Sequence, residues 1–353
     1  MDTRGSRAFT KQLAEMGVRE VTLIGGEAYL HDGWLDVVRA IRAHDIELSI
    51  VTGGRGFTKE RARLAHEAGV MAVGVSIDAL EELHDELRGV KGAFQSAIEA
   101  LRNLREAGVR ITANTQITAP ALKQIEALFD RLCDEGITAW QVSLTVPMGR
   151  AADNPELLLQ PYDVLEVMPM LARIHERATA RGVRLAPGND IGYFGPYERL
   201  LRGGMGLPDG HRMACTAGRL TLGIEADGSI KGCPSLPTRD YVGGNIRDER
   251  LIDIWERSKP LRFTRDRTVD DLWGYCRDCY YAEPCLAGCS WTAHVFFGRL
   301  GNNPFCHHRA LDLQSRGQRE RVRQIAQPEG KPFDHGLFEI VLEEWPNETQ
   351  TSE

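Results

Sequence analysis

The segment CRDCYYAEPCLAGC at residues 276–289 places cysteines at Cys276, Cys279, Cys285 and Cys289, a Cys-x2-Cys-x5-Cys-x3-Cys spacing. It is preceded by Cys215-x12-Gly228-x4-Cys233 and followed by Cys306, and of the eight cysteines in the 353-residue chain only Cys133 falls in the first 214 positions. Thiolates are the ligands of both iron–sulfur clusters and structural zinc, and close spacing lets them converge with little loop-closure cost. Disulfide pairing would leave one of seven thiols over, and the opening MDTRGSRAFTKQLAEMG has no apolar core resembling a signal peptide. The group therefore reads as metal-binding in a cytoplasmic protein. So many unligated thiols in a Gly-rich region would also make a poor core. Spacing alone leaves the metal open. Two zinc sites need eight ligands, with His307 or His308 as the eighth; two four-iron clusters also need eight, so that with seven cysteines one iron takes another ligand or stays open to substrate.

Away from the cysteines, the first half repeats a short β-branched run, a turn and a longer helical stretch, the pattern of strands and helices around a parallel sheet. Five strands are expected, at Glu20–Ile24, Glu47–Thr52, Met71–Ser76, Arg110–Thr115 and Trp140–Leu144. Between them ARLAHEAG, AIEALRNLREAG and IEALFDRLCDEG carry apolar residues at helical spacing and end in a capping Gly. A helix over Ser6–Met16 comes before any strand, so the array is expected to lack its first strand. Beyond about residue 190 the texture turns Gly-rich and irregular, as in a lobe held by metal more than by a core. A helix is expected at Arg309–Ile325, a possible edge strand in GLFEIVLEEW and disorder in the final NETQTSE. With hydrophobic residues at 42% the chain can bury a substantial core, and its net charge of −7 argues against nucleic acid or an anionic membrane as partner. No apolar run reaches the roughly 18 residues of a spanning helix.

The seven-cysteine arrangement with Gly228 resembles the SPASM domain of radical S-adenosylmethionine (SAM) enzymes, which carries two auxiliary [4Fe-4S] clusters. The resemblance implies Cys215, Cys233 and Cys289 on the first cluster, and Cys276, Cys279, Cys285 and Cys306 on the second. The N-terminal half resembles the same family. Gly25-Gly26-Glu27, after the first strand, is similar to the motif that binds the methionine amino group of SAM: glycines permit close backbone approach and a carboxylate accepts from an ammonium. Ser76-Ile77-Asp78, His84-Asp85, Arg88-Gly89, Asn114-Thr115 and Pro147–Ala151 are also family-like, and the motifs lie at or just beyond strand C-terminal ends, where barrel enzymes place their sites. The cofactor-binding residues so implied are Gly25, Gly26, Glu27, Ser76, Asp78 and Asn114.

Two departures stand out. No Cys-x3-Cys-x2-Cys precedes Gly25 to hold a catalytic cluster, which is expected to reflect a truncated start, and Thr52-Gly53-Gly54 stands where relatives carry Thr-Asn-Gly. The expected architecture is a partial (β/α)6 barrel missing its first strand over 1–190, a SPASM iron–sulfur domain over 191–313, and a C-terminal helix, possible edge strand and tail over 314–353. The expected function is maturation of a ribosomally made peptide or protein by hydrogen abstraction, with a reducing electron-transfer protein as partner. The chain as written is expected not to cleave SAM. The competing reading is a non-catalytic, zinc- or cluster-stabilised peptide-binding module. Sulfatase maturation is disfavoured because Pro234, not Asp, follows Cys233. Cys133 shares a helical face with Ile125, Leu128, Phe129 and Leu132 and reads as core; His294, His307 and His308 read as hydrogen-bonding residues; Asp227 reads as a hairpin turn; and Trp273, Tyr275, Tyr280, Tyr281 and Trp291 read as packing around clusters.

Overall fold

A strand turns successive side chains to opposite faces, and the expected runs place an apolar residue at least at every second position. In the computed structural model, which describes residues 3–203, 215–330 and 335–346, Val73, Val75, Ala113, Val142 and Leu144 have no exposed surface. They lie on the third, fourth and fifth strands of one parallel sheet that runs in chain order through β1 (Glu20–Leu23), β2 (Glu47–Thr52), β3 (Ala72–Ser76), β4 (Arg110–Ile117), β5 (Ala139–Leu144) and β6 (Arg184–Pro187). The connections carry α2 (Trp34–Arg42), α3 (Lys59–Ala68), α4 (Glu81–Arg88), α5 (Ala93–Glu106), α6 (Ile125–Asp134), the short α7 (Arg150–Asp153) and α8 (Val164–Ala180), after an initial α1 (Thr3–Glu15). Each crossover returns the chain one strand over in the same direction, so every strand ends on the same edge. Gly25–Glu27, Thr52–Gly54, Ser76–Asp78 and Asn114–Thr115 are thereby neighbours along that edge; Ser76 sits opposite Asn114 in the register.

The sixth strand was not expected. Arg-Leu-Ala-Pro offers four residues with no β-branched run and a proline at its end, a weak local signal that the pairing of Leu185 with Trp140 overrides. The expected helix at Arg309–Ile325 is also corrected. After α9 (Glu198–Arg202), α10 (Thr238–Tyr241), α11 (Leu251–Arg257), α12 (Ala282–Cys285) and α13 (Ser290–Phe297), helix α14 spans only His307–Ser315. Gly317, at φ +68°, stops it. The segment beyond is strand β10 (Gln318–Gln324), antiparallel to β11 (Phe338–Glu344), while β7 (Gly223–Ile224), β8 (Ser229–Lys231) and β9 (Val242–Asn245) form a small antiparallel sheet. In β10 charged and polar residues alternate around Val322, a period of two that composition disguises as a polar helix. The expected disordered tail, 347–353, lies outside the described residues.

One large apolar cluster spans the sheet and its helices, and Cys133 packs against it from α6. Among the described residues the cysteine region adds only Leu272, Ala282 and Ala287 as a second buried cluster. Ile230, Leu251, Ile254, Leu261, Val295, Phe296 and Phe305 of the cysteine region are themselves part of the large cluster, so the lobe shares the core of the sheet.

Candidate functional site

The strand-end edge is prepared by backbone conformation. Gly25 and Gly26 take φ +81° and +51°, a region L side chains rarely adopt, and nothing lies within 4 Å of where their Cβ atoms would stand. Next to them the Glu27 carboxylate turns toward β2, accepting from the Gly53 N–H at 3.0 Å and from the Thr52 hydroxyl. Thr52 Oγ1 in turn accepts from the Gly54 N–H at 2.8 Å and lies 3.3 Å from the Tyr29 hydroxyl. Thr52-Gly53-Gly54 thus fixes the carboxylate. A Cβ at Gly53 would stand 3.2 Å from Glu27 Oε1, whereas one at Gly54 would press on Ala97 Cα at 2.9 Å, so the second glycine lets α5 close on the sheet. Burial pushes the Tyr29 phenol up to about 12, keeping it a neutral donor.

Further along the edge, Ser76 and Asn114 stand side by side, each half-buried. Asp78 is engaged internally: its carboxylate meets Arg88 at 2.6 Å and accepts from the Gln116 N–H at 3.0 Å, and its own N–H donates to His84 Nδ1 at 3.1 Å. Burial lowers His84 and keeps it neutral, the state that accepts this bond. Asp78 is therefore placed to position the edge more than to meet a ligand. Asp85 accepts from the Gly92 and Phe94 N–H groups at 2.5 and 2.8 Å and ties down the start of α5; Thr115 accepts from the Trp140 indole at 2.8 Å. Sequence reasoning missed Asp190, beyond β6. Fully buried and accepting from the Leu144 N–H at 2.6 Å, it is pushed up to about 6 by burial.

The seven clustered cysteines fall into two groups. Cys276, Cys279, Cys285 and Cys306 line one cavity of about 360 Å³ counting its open mouth, walled by Tyr193, Phe194, Tyr281 and Arg309. Cys215 acts electrostatically on Cys233 and on Cys289, which sets these three apart as the second group. All eight cysteines are unpaired. Burial pushes the Cys276, Cys285 and Cys306 thiols up, Cys306 to about 12, and neighbouring cysteines push in the same direction. Buried thiolates crowded together need a cationic centre, which inverts that preference.

The surroundings suit iron–sulfur ligation. The Tyr281 N–H donates to Cys279 Sγ at 3.4 Å. Such donors orient thiolates and set the potential of a cluster. Among the described residues no three cysteine sulfurs lie within 4.8 Å of one another. Tetrahedral zinc with bonds near 2.3 Å holds its sulfurs only about 3.8 Å apart, so the spacing fits a cluster better than a single ion. Neither proposed eighth ligand joins the Cys215 group. His308 lines the four-cysteine cavity, and His307 stacks on Tyr197 at 5.8 Å with its ring against Gly195.

One residue joins the groups. The Tyr193 hydroxyl accepts from the Cys289 N–H at 3.0 Å and donates to the Asn189 carbonyl, while its ring borders the cavity of Cys285. A Cβ at Gly288, which takes φ +59°, would overlap Tyr193 Cζ, so the glycine between Cys285 and Cys289 is required by this ring. Arg309, 2% exposed, pairs with Glu320 at 2.6 Å and reaches to 3.9 Å from Cys276 Sγ. Asp227 turns the β7–β8 hairpin by accepting from the Ser229 N–H at 2.9 Å. Of the five aromatics expected around the clusters, Tyr275 and Tyr281 line the cavity, and Tyr281 stacks on Phe194 with centroids 4.3 Å apart, whereas Trp273, Tyr280 and Trp291 are not in its lining, Tyr280 being 88% exposed and Trp291 packed against the large core cluster.

This combination of a parallel α/β sheet with Gly25–Glu27 at its strand ends and a thiol-rich lobe defines a class. Residues 7–124 match the radical SAM superfamily and residues 215–280 match the SPASM iron–sulfur cluster-binding domain. The chain is a radical SAM protein with a SPASM domain. It is 27% identical to the AdoMet-dependent heme synthase of Oleidesulfovibrio alaskensis over 87% of this chain and 79% of that protein. To the mycofactocin maturase MftC of Mycobacterium tuberculosis it is 26% identical over 87% of this chain and 75% of that one. The fold is that of Streptococcus suis SuiB, solved bound to its precursor peptide SuiA, with TM-score 0.63 and 17% identity; 82% of this chain is covered, and it spans about two thirds (65%) of SuiB. Native anSMEcpe with bound AdoMet matches with TM-score 0.67 at 17% identity, covering 88% of this chain and 86% of that one. Among the described residues no helix is long and apolar enough to cross a membrane.

Proposed function

We propose that the lobe holds two auxiliary [4Fe-4S] clusters, on Cys276, Cys279, Cys285 and Cys306 and on Cys215, Cys233 and Cys289, and that Gly25, Gly26, Glu27, Ser76 and Asn114 bind SAM, in a protein that matures a ribosomally made peptide. The observation that carries this reading is the gathering of Cys276, Cys279, Cys285 and Cys306 around one cavity whose lining does not include Cys215, Cys233 or Cys289. When bound, the clusters supply one-electron transfer and SAM a source of hydrogen-abstracting radical. The chain's own part is positional. Gly25 and Gly26 bring backbone close to the ligand, and Thr52 and Gly53 hold the Glu27 carboxylate ready for an ammonium. Tyr193 joins the two cluster walls, and Arg309 offsets thiolate charge at Cys276.

Residues 1–132 contain no cysteine, so these residues do not fit a catalytic cluster at the strand ends, and no radical-generating step is assigned to them. The units proposed are 1–190 for SAM and 191–313 for the clusters. The peptide reading is supported by the likeness to MftC; the likeness to heme synthases favours a tetrapyrrole as the second substrate class. The test supplies a Cys-x3-Cys-x2-Cys segment ahead of Gly25 and co-expresses this extended protein with short peptides encoded beside the gene. A mass change in a peptide supports the reading. Turnover of an added porphyrin with no peptide altered replaces it with the tetrapyrrole one.

A further inference from the structure

Three side chains from three elements converge, none of them a cysteine: Asp240 in α10, His294 in α13 and His335 just before β11. Their ligand atoms all lie within 4.8 Å of one another, and His335 Nε2 is 3.9 Å from an Asp240 oxygen. We infer that they form a binding site for one zinc-type divalent cation, separate from the iron–sulfur lobe's own ligands.

The argument turns on His294. It is 5% exposed, its Nδ1 lies 3.1 Å from the Tyr241 hydroxyl, and its Nε2 is buried with no hydrogen-bond partner among the described residues. An unsatisfied buried polar atom costs about 1–3 kcal/mol, a cost that a ligand on Nε2 removes. With a cation on Nε2, Nδ1–H donates to the Tyr241 oxygen. This is the outer-shell hydrogen bond that ligating histidines use to fix ring and tautomer. Two imidazoles and a carboxylate are a borderline donor set suited to zinc, with a fourth position for water. Zinc bonds of about 2.0–2.1 Å require the donors to close to roughly 3.3 Å. Asp240 and His335 keep 45% and 34% of their side-chain surface and are free to make that movement. The backbone is already set, since Gly336 N–H donates to the Val295 carbonyl at 2.9 Å and holds His335 beside α13. A cation here would fasten the β10–β11 hairpin to the cysteine lobe.

The test uses anaerobically prepared, cluster-loaded protein stripped of loose metal and titrated with zinc against a chromophoric chelator, with iron counted in parallel. The expected result is one tightly held zinc per chain with iron unchanged. Asp240→Asn and His335→Ala, both on exposed side chains, should each weaken zinc at least tenfold, and Tyr241→Phe by roughly tenfold or more. Zinc should also slow hydrogen exchange across 335–344. Absence of retained zinc, zinc taken up only as iron is lost, or retention equal in the Asp240 and His335 variants would overturn the inference. None of these outcomes depends on the substrate or on SAM.

Discussion

Tyr193 spans the two thiol groups with a single side chain, and the residue beneath it shows how tightly this region is specified. Gly288→Ala would combine a left-handed backbone with overlap of the ring, so a loss of at least about 2 kcal/mol is expected. Thermal unfolding of cluster-loaded protein measures it, and removing the ring as well in Gly288→Ala/Tyr193→Ala should cost less than the two changes added. Asp190 gives a pH signature. Its folded-state value of about 6 lies above the ordinary 3.8, so its contribution is fully present below about 4 and is lost as pH rises through 6. Relative to wild type, Asp190→Asn should therefore gain about 1–1.5 kcal/mol between pH 5 and pH 7 in denaturant titrations; a constant difference would refute the burial argument. Asp190 was invisible in the sequence because a lone acid beyond an unrecognised strand has no pattern. The cysteines and Gly25–Glu27 were legible because their spacing is itself the signal.

At the scale of elements, β10 returns along α14 to place Glu320 on Arg309, both nearly buried. Removing one partner of such a pair costs about 3–5 kcal/mol. Glu320→Gln keeps the shape but leaves the guanidinium charge unopposed 3.9 Å from Cys276 Sγ. The midpoint potential of the cluster proposed there should rise by tens of millivolts in a redox titration, with iron content retained; an unchanged potential would remove Arg309 from any tuning role. The sequence disguised this hairpin. Gln318–Gln324 is polar at nearly every position and reads as a continuation of α14, and what stops the helix is one residue, Gly317. The strands of the sheet were legible for the opposite reason, since in β2, β4 and β5 apolar residues recur at every second position among β-branched ones, and β6 was missed because it is short and ends in Pro187.

At the scale of the whole molecule, one apolar core runs from the sheet into the cysteine lobe through Ile230, Leu251, Phe296 and Phe305, and Leu272, Ala282 and Ala287 form a small cluster apart from it. Anaerobic protein should be brown and hold about eight irons and about eight sulfides, as two four-iron clusters require. Cys276→Ala should lose one cluster's share, and about two zinc atoms in a colourless protein would overturn the cluster reading. Chelation of the iron should open residues 215–306 to protease while the sheet keeps its far-UV circular dichroism; simultaneous collapse of both would show that the lobe is not independently metal-held. The chain as written, even when fully reconstituted and reduced, should form no 5'-deoxyadenosine above a cluster-free control.

The two thiol groups are interleaved along the chain: Cys285 belongs to one and Cys289, four residues later, to the other, while Cys306 closes the first. During synthesis, then, neither set of ligands is complete until the ribosome has released most of the polypeptide, and the sheet has already emerged. On the ligand sets proposed above, clusters would be completed only after the sheet has emerged, so a chain made when cluster assembly is limiting would have its N-terminal part made before its C-terminal sites are filled.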